Sequence, residues 1–533
     1  MTVRDATFDV MRSLELTSIF SNPGSTEVPF LAGLPDDMRF VLALHEGSVV
    51  GMATGFALGR GKPAFVLLHT TAGLGNAVAA LATARVNRAP LVVVVGQQDR
   101  RHLALEPFLA GRLEGLAGDY PVWVDQPARA QDVPGAVTRA YHEAVTGRGP
   151  AIVIVPMDDW DAPGPERHEL AGPARLLRAG APDPGAVDEL AELLSGAAAP
   201  VLVVGAGADS PDTWAALIAL AERLACPVWQ ESFGARAGFP QDHALFAGHL
   251  PADRERLRQA LAPHDAILAV GAPVFRQYPF DAGPLVNPGT RLALVTDDPD
   301  EAHRSPTDLT LLAEPGEVCR RLAAQLPART LNAYPERAKP ARLEAPAPGE
   351  PLLPGHVLAA LAERLPRDAI VVEETPSSRP ELHQRIAAAE PMGFVSAAMG
   401  GLGFAMPGAI GLRMALPERP VLAVVGDGSS MYAIQALWSA ARYEVGALFV
   451  VLANGRYAIM DRLAEAAGSP GPWPDFETID ISAMARAMGC AATRVDDLDA
   501  LTRSLDELLT GLADRREPVL LEVGVAPDES FEP

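Results

Sequence analysis

Short, continuous runs of Val, Ile and Leu recur along this chain, each followed by a longer stretch with helical spacing. In the first third they are SIF (18–20), FVLAL (40–44), AFVLL (64–68), LVVVV (91–95) and AIVIV (151–155). A strand that is apolar at every position has both faces buried, as in a parallel sheet with helices on either side. The rhythm breaks at DAPGPERHELAGPARLLRAGAPDPG (161–185) and resumes with VLVVG (201–205), AILAV (266–270) and LALVT (292–296). It breaks again at LPARTLNAYPERAKPARLEAPAPGEP (326–351), and AIVVEE (369–374), VLAVV (421–425), ALFVVL (447–452) and PVLLEVGV (518–525) follow. Both interruptions are rich in Pro and read as linkers. The expected architecture is therefore three doubly wound α/β domains with parallel sheets, over residues 1–165, 185–328 and 350–526. A length of 533 residues agrees, since it exceeds one core and predicts roughly three to four domains.

Composition narrows the function by exclusion. A hydrophobic content of 48% with 21% charged residues is that of an ordinary globular protein. The net charge of -23 argues against a nucleic-acid partner, which needs clustered Lys and Arg. Cys226, Cys319 and Cys490 lie far apart and form neither a disulfide framework nor a zinc pattern, so a reducing compartment is expected. The opening MTVRDATFDVMRS lacks the apolar core of a signal peptide, and runs such as LVVVV fall far short of the roughly 18 residues that span a bilayer. The expectation is a cytoplasmic protein with no membrane partner.

Two strands of the last set end in oxygen-bearing side chains. VLAVV stops at Gly426-Asp427-Gly428, and ALFVVL stops at Ala453-Asn454-Gly455. Asp-Gly and Asn-Gly are common turn formers, so two plain loops are one reading. The other is a hard-cation site. A carboxylate, an amide oxygen and the Arg456 carbonyl suit Mg²⁺ or Ca²⁺, and Gly428 leaves room for a phosphate. Open parallel sheets bind ligands at the carboxyl ends of their strands, which favours the cation. Glu46 stands where FVLAL hands over to a helix of small residues, Gly47, Gly51, Ala53, Gly55 and Ala57. It reads either as a helix-start acid favoured by the macrodipole or as a functional carboxylate, and the small residues allow close helix packing. Ser25, in NPGST, reads as a turn serine or cap or as a ligand-binding group. His69, between AFVLL and TTAGLGNA, is structural or functional on the same footing.

Glu46 with its small-residue helix, GGLGFAMPGAIG (400–411) and the GDG…NG pair together resemble the thiamine diphosphate-dependent decarboxylases and carboligases. The resemblance covers nearly the whole chain. SNPGSTEVPF, LALHEGSVVGMATGFA, LLHTTAGLGNA, GAPVFRQYPFDAG, GGLGFAMP and GDGSSMYAIQALW are most similar to the benzoylformate decarboxylase branch of that family. The resemblance implies a pyrimidine-binding domain, a central domain and a diphosphate-binding domain. It implies thiamine diphosphate bound through Mg²⁺ or Ca²⁺, with Asp427, Asn454 and the Arg456 carbonyl as metal ligands. Gly426, Gly428, Ser429, Ser377 and Tyr457 would border the diphosphate. Glu46 would hydrogen-bond the pyrimidine nitrogen and so favour the tautomer that activates the thiazolium carbon. The Gly400 carbonyl would accept from the 4′-amino group, and Leu402 would keep the cofactor bent. Ser25 would bind the carboxylate of a 2-oxo acid, His69 would pass a proton to its ketone oxygen, and Asn76 would assist. Phe108, Leu109, Tyr278, Ser396, Met460 and Leu463 would line the substrate pocket. The implied reaction is decarboxylation to the aldehyde, with carboligation as a companion activity. The implied assembly is at least a homodimer, with a homotetramer usual in the family.

Some positions leave the family pattern. Tyr278 stands where the resemblance places a second active-site histidine, and a phenol is a poorer proton relay near neutrality than an imidazole. Ser396 and Leu463 replace phenylalanines, Phe108 replaces a leucine, and Ala453 replaces the first Asn of an Asn-Asn pair. A transferase of acetolactate synthase type is the alternative. It would want flavin, for which VVGAGADS (203–210) offers a lone glycine turn without a full GxGxxG. A non-catalytic homologue is a third possibility, against which the joint presence of Glu46, Asp427 and Asn454 speaks.

Overall fold

The twelve expected apolar runs all become strands and, with six shorter ones, make up three parallel six-stranded sheets among the described residues. This computed structural model describes all residues except 167–168, 170–171, 178–180, 331–334, 336, 338–339, 341, 348 and 528–533, so parts of both Pro-rich linkers lie outside the described residues. The first sheet contains β1 (Ser18–Asn22), β2 (Arg39–Leu42), β3 (Ala64–Leu68), β4 (Leu91–Gln97), β5 (Trp123–Asp125) and β6 (Pro150–Pro156), in the order 2-1-3-4-6-5. The second contains β7 (Pro200–Val204), β8 (Val228–Gln230), β9 (Phe246–His249), β10 (Ala266–Val270), β11 (Arg291–Thr296) and β12 (Leu309–Leu312), in the order 12-11-10-7-8-9. The third contains β13 (Ile370–Glu374), β14 (Phe394–Ser396), β15 (Val421–Gly426), β16 (Leu448–Ala453), β17 (Ala491–Val495) and β18 (Val519–Gly524), in the order 14-13-15-16-18-17.

Counted within itself, the third sheet repeats the order of the first. The second has the 3-2-1-4-5-6 order of dinucleotide-binding sheets. In the first and third sheets the strand order reverses between the first and third strands. The crevice at such a switch point opens at the strands' carboxyl ends.

The first and third sheets share one buried core, in which Val66, Val93 and Ile154 belong with Val372, Val425 and Phe449. Two helices, Glu46–Arg60 and Ala405–Ala415, join them. Their small residues permit a very close crossing. A Cβ added at Gly55 would stand 2.1 Å from the Gly408 carbonyl oxygen, and one at Gly51 would stand 2.7 Å from Pro407. The first helix is capped by the His45 ring, whose Nδ1 accepts from the Gly47 amide at 3.0 Å, and it ends at Gly61 in the left-handed conformation (φ +61°). No helix among the described residues is long and apolar enough to cross a membrane.

Candidate active site

Chemistry-bearing side chains collect at the strand ends that flank the two switch points. In the first sheet, β1 ends at Asn22, the chain after β2 reaches Glu46, and β3 hands over to His69. Glu46 is buried at the first position of its helix, and each of its carboxylate oxygens accepts from a neutral amide. Asn22 Nδ2 donates to Oε1 at 3.1 Å, and Asn76 Nδ2 donates to Oε2 at 3.0 Å. The acid at the helix start is therefore clamped from two elements, beyond any interaction with the helix dipole.

His69 is the cap residue of helix Thr70–Val86, and its ring is fixed by a second carboxylate. Glu27, fully buried, stands 3.0 Å from His69 Nδ1, and it also accepts from the Gly24 amide at 2.7 Å and from the Thr26 hydroxyl. The Thr26 hydroxyl lies 2.9 Å from the same ring nitrogen. An ionised Glu27 can only accept, so it selects the tautomer with hydrogen on Nδ1 and leaves Nε2 for chemistry. The pocket holding this pair is closed by missing side chains. A Cβ on Gly24 would meet the His69 ring at 2.5 Å, and one on Gly96 would meet Glu27 Oε1 at 1.9 Å. Thr70, buried and β-branched, has φ +31°, a strained backbone worth roughly 1–3 kcal/mol that marks the turn out of β3. Ser25 begins a short 3₁₀ turn and is exposed, as is Asn76.

In the third sheet β15 and β16 are paired neighbours, so Asp427 and Asn454 leave adjacent strands together. Asp427 is buried. Its oxygens accept from the Gly428 amide at 2.7 Å and the Gly455 amide at 2.6 Å, and Asn454 Oδ1 accepts from the Arg456 amide at 3.0 Å. Burial pushes the Asp427 carboxyl above its ordinary range, against the pull of these N–H groups. A cavity of about 590 Å³ opens at Asp427, Asn454 and Gly455. Ser429 is buried beside Asp427, and Ser377 is partly buried in the turn after β13. The Tyr457 and Phe476 rings pack 5.0 Å apart over Gly428, where a Cβ would come within 2.7 Å of Tyr457. Among the described residues no group of three or more His, Cys, Asp and Glu side chains gathers around a metal position. The two strand-end groups fit a different donor set, one carboxylate, one amide and a backbone carbonyl, which is that of a hard cation sharing its shell with phosphate oxygens.

The glycine-rich turn follows β14. Gly400 (φ +71°) and Gly403 (φ +93°) require glycine's freedom there. Glu374, at the end of β13, holds the far side of the turn by accepting from the Gly403, Phe404 and Ala405 amides at 2.7–2.8 Å. Burial pushes this carboxyl up to about 7. Leu402 is partly buried in the turn.

The expected pocket residues are less gathered in one chain. Tyr278, Phe108 and Met460 are exposed, Leu109 and Leu463 are partly buried, and Ser396 is buried with its hydroxyl accepting from Arg379 at 2.7 Å. No hydrogen bond or ring contact among the described residues joins any of them to His69 or Ser25. Asn22, Glu27 and Glu374 were not singled out in the sequence. Asn22 and Glu27 belong to the quoted SNPGSTEVPF segment, and Glu374 closes the run AIVVEE, but only three-dimensional partners distinguish them from turn and strand-end residues.

Three family models match the chain in succession. They are the N-terminal TPP binding domain of the thiamine pyrophosphate enzymes over residues 1–116, their central domain over 187–322, and their C-terminal TPP binding domain over 377–523. The chain belongs to the thiamine diphosphate-dependent enzymes. It is 40% identical to a benzoylformate decarboxylase of Pseudomonas aeruginosa, over 100% of both chains. It is 31% identical to a putative acetolactate synthase large subunit, IlvX, of Mycobacterium tuberculosis, covering 91% of this chain and 92% of that one. Among solved structures, the thiamine diphosphate-dependent 4-hydroxybenzoylformate decarboxylase of Rhodococcus jostii RHA1 superposes with a TM-score of 0.93 at 36% identity, covering 99% of this chain and 100% of that one. The cofactor is thiamine diphosphate with a divalent cation such as Mg²⁺.

Proposed function

We propose that this enzyme decarboxylates an aromatic or otherwise apolar 2-oxo acid to the aldehyde and CO₂, with carboligation as a companion reaction. The observation that carries the reading is the Glu46 carboxylate, buried at a helix start and held by two amides. When bound, thiamine diphosphate supplies the carbon that adds to the 2-oxo group and takes up the electron pair freed as CO₂ leaves. Asp427, Asn454 and the Arg456 carbonyl hold the Mg²⁺ or Ca²⁺, whose charge offsets the burial of the Asp427 carboxylate. Gly426, Gly428, Ser429, Ser377 and Tyr457 border the diphosphate. Glu46 holds a proton at the pyrimidine nitrogen, and the Gly400 carbonyl and Leu402 orient the rings. Ser25 binds the substrate carboxylate, and Asn76, already bonded to Glu46, stands beside it. His69, its Nδ1–H directed at Glu27, moves a proton between Nε2 and the ketone oxygen. Phe108, Leu109, Met460 and Leu463 make an apolar pocket whose polar members are Tyr278 and Ser396. The reading assigns these roles to domains bounded near 165/185 and 328/350.

A second copy of the chain completes the site in this reading. The cavity at Asp427 is lined by residues from 349 to 351 and from 427 to 526, with none from the first sheet. Exposed Phe108, Met399, Tyr432 and Met460 supply apolar surface for a dimer and, by pairing of dimers, a tetramer. Light scattering that returns a monomer at working concentration overturns this. The three cysteines are free and buried, and burial pushes their thiols up to about 12, which supports a reducing, cytoplasmic setting.

The flavin-dependent alternative has less support. Arg236 donates to the Ala206 carbonyl at 3.0 Å, and a Cβ on Gly207 would stand 2.8 Å from an Arg88 nitrogen. Two buried arginines thus occupy the glycine turn where a dinucleotide would lie. The deciding experiment screens 2-oxo acids for CO₂ release with thiamine diphosphate and Mg²⁺ present. Aryl and branched apolar acids are expected to react fastest with a colourless protein, and a cofactor-loaded enzyme that releases CO₂ from none of them refutes the proposal.

A further inference from the structure

All three domains meet on one short segment, Ser396 to Ala398, immediately before the glycine-rich turn. From the first domain, Asn87 donates to the Ser396 carbonyl at 2.9 Å and accepts from the Ala398 amide at 2.9 Å. Asn87 is the last-turn cap of the helix that His69 begins. From the central domain, the Ala235 carbonyl accepts from the Ser396 amide at 2.8 Å. From the loop that carries Tyr278, Arg276 Nη1 donates to the Ala398 carbonyl at 3.0 Å. The other arm of Arg276 faces Glu231 at 3.4 Å, and Glu231 is almost completely buried. One further atom of each partner, Arg276 Nε and Glu231 Oε2, is buried without a hydrogen-bond partner. Gly400 then closes a turn by donating to the Ala397 carbonyl at 3.0 Å, and Glu374 fixes the far side. Among the described residues, the one side chain of the central domain bonded to the segment is Arg276.

We propose that Arg276 is a positioning residue for the reaction. By holding the Ala398 carbonyl it sets the path of the turn that presents Gly400 and Leu402, and it makes that turn and the Tyr278 loop move as one body. The proposal rests on the reading that Gly400 and Leu402 face the cofactor. A partly buried guanidinium suits the task, because its planar fork serves the carbonyl and the carboxylate at once. The orphaned atoms of the pair fit a fork aligned on the backbone it holds rather than on a full bidentate ion pair with Glu231.

Arg276→Met tests this in the full-length enzyme with thiamine diphosphate and Mg²⁺, since the stem keeps its packing and the donors are lost. A misplacement of the order of 1 Å at the reacting groups is expected to lower kcat by roughly ten- to a hundredfold. Substrate KM and cofactor Kd are expected to stay within about twofold, the signature of an interaction realised in the transition state. Arg276→Lys, which keeps a charged donor but not the fork, is expected to fall between the two in kcat. A purely structural role would instead lower the melting temperature and leave kcat per cofactor-loaded site unchanged, which overturns the proposal. Should the Met variant be insoluble, a Lys variant with wild-type kcat overturns it equally, and an intermediate value supports it. Glu46→Gln is the parallel control. If it too retains full activity, the reading of the site has failed, whereas loss of activity there with retention in Arg276→Met refutes the role of Arg276 alone.

Discussion

Replacing Glu27 by Gln removes one charge at a fully buried position and leaves the shape intact. Glu27 Oε2 accepts from the Gly24 amide and faces His69 Nδ1, while Oε1 accepts from the Thr26 hydroxyl. A glutamine presents one oxygen and one NH₂. If its oxygen keeps the Gly24 amide, the NH₂ faces Thr26 Oγ1, and that hydroxyl is free to donate to His69 Nδ1, 2.9 Å away. The neutral oxygen still faces Nδ1 but holds the Nδ1–H tautomer less firmly than a carboxylate, so the ring spends part of its time in the other tautomer, without its free Nε2 lone pair. A hydrogen bond to a charged group contributes roughly 1.5–3 kcal/mol. At 1.36 kcal/mol per decade, that alone predicts a fall in kcat of about ten- to a hundredfold, and general acid–base losses of roughly 10²–10⁴ set the upper end. The assay is aldehyde release under saturating substrate, run beside hydrogen–deuterium exchange at the cofactor's thiazolium carbon. In the proposed function exchange depends on Glu46, so it is expected to stay at the wild-type rate while kcat falls. A kcat within twofold of wild type, or exchange that slows in step with kcat, refutes the dyad.

Asp427→Ala is expected to abolish Mg²⁺-dependent binding of thiamine diphosphate with the circular dichroism spectrum unchanged, as read by calorimetric titration. Glu46→Gln keeps the shape but turns one accepting oxygen into an NH₂ and removes the carboxylate, so hydrogen–deuterium exchange at the cofactor's thiazolium carbon, followed by NMR, is expected to slow by orders of magnitude with cofactor still bound. Tyr278→His restores an imidazole to a surface-exposed position of the pocket loop. It is expected to shift products from 2-hydroxy ketone toward free aldehyde at fixed aldehyde concentration, and an unchanged ratio by chromatography assigns Tyr278 to substrate shape instead.

The parts of the fold that could be read from sequence were for the most part the longer strands buried on both faces. LVVVV and AIVIV became β4 and β6, buried at every position. The strands that no run announced, β5, β8, β9, β12, β14 and β17, are three to five residues long, and all but β8 lie at sheet edges. Edge strands such as Trp123–Asp125 and Ala491–Val495 are partly exposed, so nothing forces a continuous apolar run. Burial leaves a signature in composition, and half-burial does not. The same distinction governs the site. Asp427 and Asn454 announced themselves because each terminates a clean apolar strand. Asn22, Glu27 and Asn87 act through partners 24 to 311 positions away, and no local pattern encodes that.

The matching strand orders of the first and third sheets lead to a last prediction. Each sheet offers a crevice at its switch point. The loops of one carry Glu46, His69 and two amides, to which the proposed function gives the protons, while the loops of the other carry Asp427 and Asn454, to which it gives a cation and its phosphates. A cofactor with a ring at one end and a diphosphate at the other needs both sets. Among the described residues the cavity at Asp427 has no wall from the first sheet of its own chain, and in the proposed reading the ring end belongs to another copy in a twofold assembly. In such a dimer, a Glu46→Gln subunit paired with an Asp427→Ala subunit has one site with both defects and one site with neither. Two inactive preparations, unfolded and refolded together at equal amounts, would form about half mixed dimers, each with one of two sites intact, and so recover about a quarter of wild-type activity. Each variant refolded alone sets the baseline, and wild type refolded alone sets the ceiling. If wild type recovers and the mixture stays at baseline, the two sets of residues act within a single chain and the bridging arrangement is wrong.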